Sequence, residues 1–237
     1  MESNTTILDN MLVHQTCSDQ DFRQLIRDSM KSTYRSHNAH NEIHLPLLSQ
    51  NPALPFTTVL IGDSMIERLQ TTGSNTRIAQ LPSSFNAGVG GDRIENVLYR
   101  LDLGLFTSLI NHGIKLWVLM IGTNHIGKKK GLKKKELDAY RVLVQALLRI
   151  APESRILACG IFQREDVDDG DMERANMMLK EMVGEMNNKL EGEKVCWLDA
   201  PGGVKKEEHL VDHVHLNEEG YRIWDEALYP KVTDLLT

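Results

Sequence analysis

A serine, a histidine and an aspartate can act together as nucleophile, general base and orienting carboxylate. In this chain the candidates stand at opposite ends. Ser64 closes the run Phe56-Thr57-Thr58-Val59-Leu60-Ile61-Gly62-Asp63-Ser64, and far downstream lies His209-Leu210-Val211-Asp212-His213-Val214-His215-Leu216-Asn217. Within that stretch Asp212 and His215 form an Asp-x-x-His, in which the carboxylate orients an imidazole that takes the proton of a serine. Two other readings stay open. His209, Asp212, His213 and His215 offer imidazole and carboxylate ligands for a metal-dependent hydrolase, and Asn217 fits a helix cap that leaves the histidines in solvent. Ser64 has a bland reading too, since Glu67 three residues later completes a capping box. No G-x-S-x-G occurs, so the nucleophile elbow of α/β-hydrolases is absent.

The elements around these residues decide whether they can meet. The apolar, β-rich run before Ser64 reads as a parallel strand buried on both faces, and in open α/β sheets working residues lie beyond the carboxyl ends of such strands. A second buried strand, Lys115 to Ile121, stops at Gly122-Thr123-Asn124-His125. Between them Phe85-Asn86-Ala87-Gly88-Val89-Gly90-Gly91-Asp92-Arg93 is a short strand running into glycines, with Arg93 where a dinucleotide fingerprint needs glycine. Asp92 and Glu95 fit a cap for the helix carrying Ile94, Val97, Leu98 and Leu101. Further strands are expected at 155–162 and 195–198, with amphipathic helices marked by Leu137, Tyr140, Val144 and Leu147, by Met172, Ala175, Leu179, Met182 and Met186, and from Glu218 onward. The methionine stripe reads as core filler. About five strands alternating with helices predict an α/β fold, a three-layer α/β/α sandwich around a mainly parallel five-stranded sheet.

Upstream, residues 1–18 show no periodicity and read as an arm, Ser18 is placed to cap a helix running to about Arg35, and Ser36 to Pro55 reads as a surface connection. The organisation expected is therefore 1–54 as arm, helix and connecting loop packed on a main domain of 55–237. The chain of 237 residues is 41% hydrophobic and 25% charged, ordinary for a globular protein. A net charge of −6 gives no support to nucleic-acid binding, and Lys128-Lys129-Lys130-Gly131-Leu132-Lys133-Lys134-Lys135 reads as a solvated loop and helix start, with contact to an anionic substrate group as the alternative. The first residues lack a signal-peptide pattern, and no apolar run approaches the ~20 residues of a membrane span. Cys17, Cys159 and Cys196 read as reduced thiols, and a cytoplasmic protein is expected.

Four of these features occur together in one known arrangement. Gly62-Asp63-Ser64, the glycines of Asn86 to Asp92, Gly122-Thr123-Asn124 and Asp212-His213-Val214-His215 stand in the order in which SGNH (GDSL-type) hydrolases carry their motifs. The resemblance spans roughly residue 55 to the end and is nearest to the intracellular platelet-activating-factor acetylhydrolase catalytic subunits. It implies a flavodoxin-like fold and a cofactor-free serine esterase acting on small ester substrates, short-acyl and above all acetyl, through an acyl-enzyme. Ser64 would be the nucleophile, His215 the base and Asp212 its orienter, with an oxyanion hole from the N–H groups of Ser64 and Gly91 and the Asn124 amide. His125 stands where many relatives have Asp or Asn, a departure that bears on how Asn124 is held. The resemblance leaves a homodimer open, and a non-catalytic binding or scaffold relative is the rival from another class.

Overall fold

The computed structural model describes residues 18–50, 56–110, 112–128, 130–190 and 192–237. The arm at 1–17, with Cys17, and the stretch 51–55 lie outside them. Five strands, β1 (Thr58–Gly62), β2 (Ser84–Gly88), β3 (Leu116–Met120), β4 (Arg155–Cys159) and β5 (Val195–Leu198), form one sheet in the order β2-β1-β3-β4-β5, with every neighbouring pair parallel. This is the doubly wound order whose direction of winding reverses between β1 and β3. Gly62 pairs in register with both Gly88 and Met120, so the loops after β1, β2 and β3 start level with one another.

Helices cover both faces. On one side Val59, Ile61, Trp117 and Leu119 pack against α1 (Asp19–Ser29), α5 (Ile94–Arg100), α7 (Lys134–Ile150) and α8 (Asp169–Asn187). On the other, Leu60, Val118 and Met120 meet the short α4 (Ser64–Glu67) and the C-terminal α10 (Glu218–Leu236). Strands β1 and β3 are buried at every position because successive side chains serve opposite faces, which is why their sequences are unbroken apolar runs rather than alternating ones. The short helices α2 (Tyr34–Ala39), α3 (Leu45–Gln50), α6 (Phe106–Leu109) and α9 (Lys206–His209) complete the chain.

Three local expectations are corrected. The first helix stops at Ser29, because Lys31 leaves it to donate its N–H to Glu95 O at 2.9 Å and to accept from the Asn96 amide at 2.7 Å. Thr33 then caps a new helix by accepting from Ser36 N. Residues 36–50 are not a surface connection: α2, a π turn at His40–His44 and α3 run on continuously and bury Ser36, His40, His44 and Leu48. Asp92 does not cap α5 either. The helix begins at Arg93, whose N–H bonds to Asn96 Oδ1, and Asp92 turns into the interior. In the lysine run Gly127 and Lys130 bridge antiparallel ahead of α7, and Lys129 lies outside the described residues. The methionine stripe is core.

Candidate active site

Ser64 sits where β1 turns sharply into α4. A Cβ at position 62 would lie 1.9 Å from Met120 O, so only glycine lets the strand end this close to β3. The helix is capped by Asp63, whose Oδ1 accepts from Met65 N at 3.0 Å. Ser64 is therefore the first helical residue rather than the cap, and its hydroxyl is not spent on the backbone. Glu67, the other half of the expected capping box, instead meets Arg35 at 2.8 Å. Two later elements fix α4 from outside: Asn86 Nδ2 donates to Ile66 O at 2.7 Å, and Tyr221 Oη to Met65 O at 2.9 Å.

The second half arrives on the loop between α9 and α10. Leu210 and Leu216 bridge antiparallel, Val211 N donates to His215 O at 2.8 Å, and Asn217 N to His209 O at 2.8 Å. Asn217 also caps α10, accepting from Gly220 N. Inside this clasp Asp212 Oδ1 accepts from the N–H groups of Val214 at 2.9 Å and His215 at 2.8 Å, which leaves Oδ2 facing the ring. Asp212 Oδ2 lies 2.7 Å from His215 Nδ1, and His215 Nε2 lies 2.9 Å from Ser64 Oγ. A carboxylate only accepts, so Nδ1 carries the proton and Nε2 presents a lone pair to the serine. Burial opposes the Asp212 charge, but the His215 ring and the two backbone N–H groups outweigh it and hold the carboxyl well below the usual range. The Ser-His-Asp hydrogen-bonded line joins residues 151 and 3 positions apart in sequence.

Gly91 and Asn124 stand on the neighbouring loops. Gly91 has φ of 79°, a left-handed conformation that glycine adopts without cost. Asn124 lies in a single 3₁₀ turn, Thr123–His125, and one hydrogen of its amide goes to Asp92 O at 2.8 Å. That leaves its second hydrogen for a ligand. His125 is buried and reaches the start of α5, with Nε2 3.2 Å from both Ile94 N and Glu95 Oε2. The asparagine is thus held by the carbonyl of Asp92, while His125 pins its turn to α5.

The alternative metal set does not assemble. His209 is buried, with Nδ1 accepting from Lys205 N at 2.9 Å, and His213 is exposed, its carbonyl taken by Glu165 N. Among the described residues no three His, Cys, Asp or Glu side chains are grouped to hold a metal ion.

Two arginines near the site were not singled out by motif spacing. Arg164 clamps the Asn124 turn, donating from Nη1 to Thr123 O at 2.8 Å and Ile126 O at 3.3 Å, while Asp166 takes the rest of its fork. A polar cluster after a buried strand flags β1 and β3, and the same rule applied after β4 finds Arg164. Arg100 is wholly buried among the apolar residues of α5, and an arginine at the end of an amphipathic helix ordinarily reads as a solvated cap.

The sheet order places the molecule in the doubly wound α/β class, with these side chains gathered at its strand ends. The chain belongs to the GDSL-like Lipase/Acylhydrolase family, whose model matches residues 60–223, and it is accordingly a hydrolase acting on ester bonds. Similar proteins include the platelet-activating factor acetylhydrolase IB subunit alpha1 of Bos taurus, 26% identical over 186 residues and covering 76% of each chain. The alpha2 subunit of Homo sapiens is 24% identical over 206 residues, 83% of each. Among solved structures, a GDSL-like lipase from Bacteroides thetaiotaomicron aligns with a TM-score of 0.55 at 16% identity over 82% of this chain and 98% of its own. An acetyl xylan esterase from Geobacillus stearothermophilus aligns with 0.52 at 17% over 74% and 93%. At these identities the structural likeness speaks for the fold. No described helix is long and apolar enough to cross a membrane.

Proposed function

We propose that this ester hydrolase works through a triad of Ser64, His215 and Asp212 and an acyl-enzyme, on short-acyl esters and above all acetyl esters. The observation that carries the reading is the His215 ring lying between Asp212 at 2.7 Å and Ser64 at 2.9 Å. Ser64 Oγ attacks the ester carbonyl carbon as its proton passes to His215 Nε2, and the imidazolium that forms is stabilised by the ionised Asp212. The tetrahedral oxyanion is met by the N–H groups of Ser64 and Gly91 and by the second amide hydrogen of Asn124. When the intermediate collapses the ester C–O bond breaks, and the leaving alkoxide takes the proton from His215. Water then attacks the acyl-enzyme carbonyl, giving a proton to the same nitrogen; collapse breaks the acyl C–Oγ bond, Ser64 Oγ takes the proton back from His215, and the free acid leaves. Aimed donors of this kind are worth about 10²–10³ in rate each.

The acyl preference rests on the relatives, since proteins named as acetylhydrolases match over three quarters or more of this chain. The compartment we assign is the cytoplasm, which the buried, unpaired thiols of Cys159 and Cys196 support.

Hydrolysis of a p-nitrophenyl ester panel from acetate to decanoate, with labelling by a serine-directed phosphonate, tests the reading. Turnover is expected to be fastest on acetate and to fall on the order of 10⁴-fold or more in Ser64→Ala, with labelling lost. A wild-type protein that is folded yet inert to both reagents would instead favour a non-catalytic relative, and undiminished turnover in Ser64→Ala would remove the triad.

A further inference from the structure

We infer that the buried pair Arg100–Asp92 is a positioning device for the Asn124 amide, an inference that rests on the oxyanion role proposed for Asn124. Asn124 Nδ2 donates to the main-chain carbonyl of Asp92 at 2.8 Å, and this bond fixes the rotation of the amide. The direction of the free amide hydrogen is therefore set by where the Asp92 peptide lies. Asp92 immediately follows Gly91, and glycine, which has no Cβ, gives the loop no intrinsic reason to hold one conformation.

The Asp92 peptide is held on one side, at Arg93 N–H, by Asn96 Oδ1 at 2.8 Å, and on the other by the Asp92 side chain. Asp92 is 1% exposed and Arg100 is fully buried, an unusual place for both. Arg100 Nε donates to Asp92 Oδ2 at 3.0 Å, and Nη2 lies 2.9 Å from the same oxygen. Nη1 donates to Ala87 O at 2.9 Å, the penultimate residue of β2 before the glycine loop. One guanidinium thus ties both ends of the loop 88–92 to α5, while Asp92 N closes it on Val89 O at 3.1 Å. The His44 ring approaches Nη1 at 3.5 Å, and His40 and Ser36 complete the wall around the pair.

A buried ion pair is a poor way to gain stability, because burial works against both charges and here raises Asp92 and lowers Arg100 from their ordinary values. Its rigid, forked geometry is a good way to fix a loop. Neither side chain needs to touch the substrate, so both are positioning residues. Misplacement of a catalytic donor by about 1 Å can cost on the order of 10²-fold.

A double-mutant cycle on p-nitrophenyl acetate hydrolysis, in the full chain, tests this. Arg100→Lys keeps the charge but cannot reach Asp92 and Ala87 together. It is expected to lower kcat about 10- to 100-fold with KM within about twofold, and to lower it by less than about twofold further when Asn124→Ala is already present. Asp92→Asn keeps the carbonyl and the shape, so it decides the matter if Arg100→Lys does not fold; its loss should also vanish in the Asn124→Ala background. Equal losses in both backgrounds would show that the pair acts independently of Asn124 and would overturn the inference, as would an unchanged kcat in both folded single variants. If Asn124→Ala itself leaves kcat intact, the oxyanion role fails first, and the two failures are told apart.

Discussion

At Asp63 and Ser64 one residue decides what its neighbour is free to do. Because Asp63 caps α4, the Ser64 hydroxyl is available to His215. The arrangement has a cost that can be measured. Burial, with Asp92 nearby, pushes the Asp63 carboxyl up to about 7, against the opposing Met65 N–H and Arg164. In the unfolded chain an aspartate titrates near ~3.9. Between those values the folded protein keeps a proton that the unfolded chain has released, so stability falls as pH rises through the window and levels off above it. Asp63→Asn retains an oxygen for Met65 N and has no charge to bury. Its melting temperature relative to wild type should rise from pH 5 to pH 8, and a constant difference would show that Asp63 stays ionised throughout.

The segment 34–50 makes the corresponding point for an element. Its buried stripe, Ser36, His40, His44 and Leu48, recurs every four residues, but three of its four members are polar. Leu48 joins the main core, but the two histidines face the buried Arg100 guanidinium, which is why a search for apolar periodicity passes over the segment. Burial, then the charge of Arg100, lowers His40 to about 4 and His44 to about 3. Each is held neutral in the fold, whereas an unfolded histidine takes up a proton below ~6.5. The stability they provide is complete above that value and is lost as pH falls toward 4, the loss reaching on the order of 2 kcal/mol per histidine at pH 5. Substituting Gln at both positions should flatten the decline of the melting temperature between pH 6.5 and 4.5. An unchanged slope would place the acid sensitivity elsewhere.

For the whole molecule, the site falls where the sheet order reverses, between β1 with Ser64 and β3 with Asn124, since adjacent loops there diverge to opposite faces and leave a crevice. The family match begins at residue 60, yet Phe22, Ile26 and Leu48 belong to the main core and Arg35 reaches Glu67 beside the site. We therefore expect the described part of the N-terminal segment, residues 18–50, to be packed on the main domain as part of one folding unit. A chain lacking residues 1–54 should express poorly or aggregate. Phe22→Ala, which removes a ring stacked under Arg149, should cost about 3–5 kcal/mol and lower the melting temperature by roughly 10 °C. A truncated chain that melts like the full one would separate the two parts.

Much of this was legible in the residues alone. Strands buried on both faces announce themselves as unbroken apolar runs, and polar residues at their ends mark the side of the sheet where chemistry gathers; from that follow the α/β class, the strand count and the clusters at Ser64 and Asn124, whereas Asp212 and His215 stand out by their Asp-x-x-His spacing and the oxyanion roles of Gly91 and Asn124 come from the family resemblance. What periodicity could not supply was which polar group satisfies which. Asp63 rather than Ser64 caps α4, Asp92 leaves the cap of α5 for Arg100, and His209 turns to the Lys205 N–H instead of joining Asp212 and His215. A hydrogen bond between residues distant in sequence has no period, and a buried charge is tolerable only once its partner is in place. Those choices belong to the tertiary structure, because only there does each group's competitor for the same partner become visible.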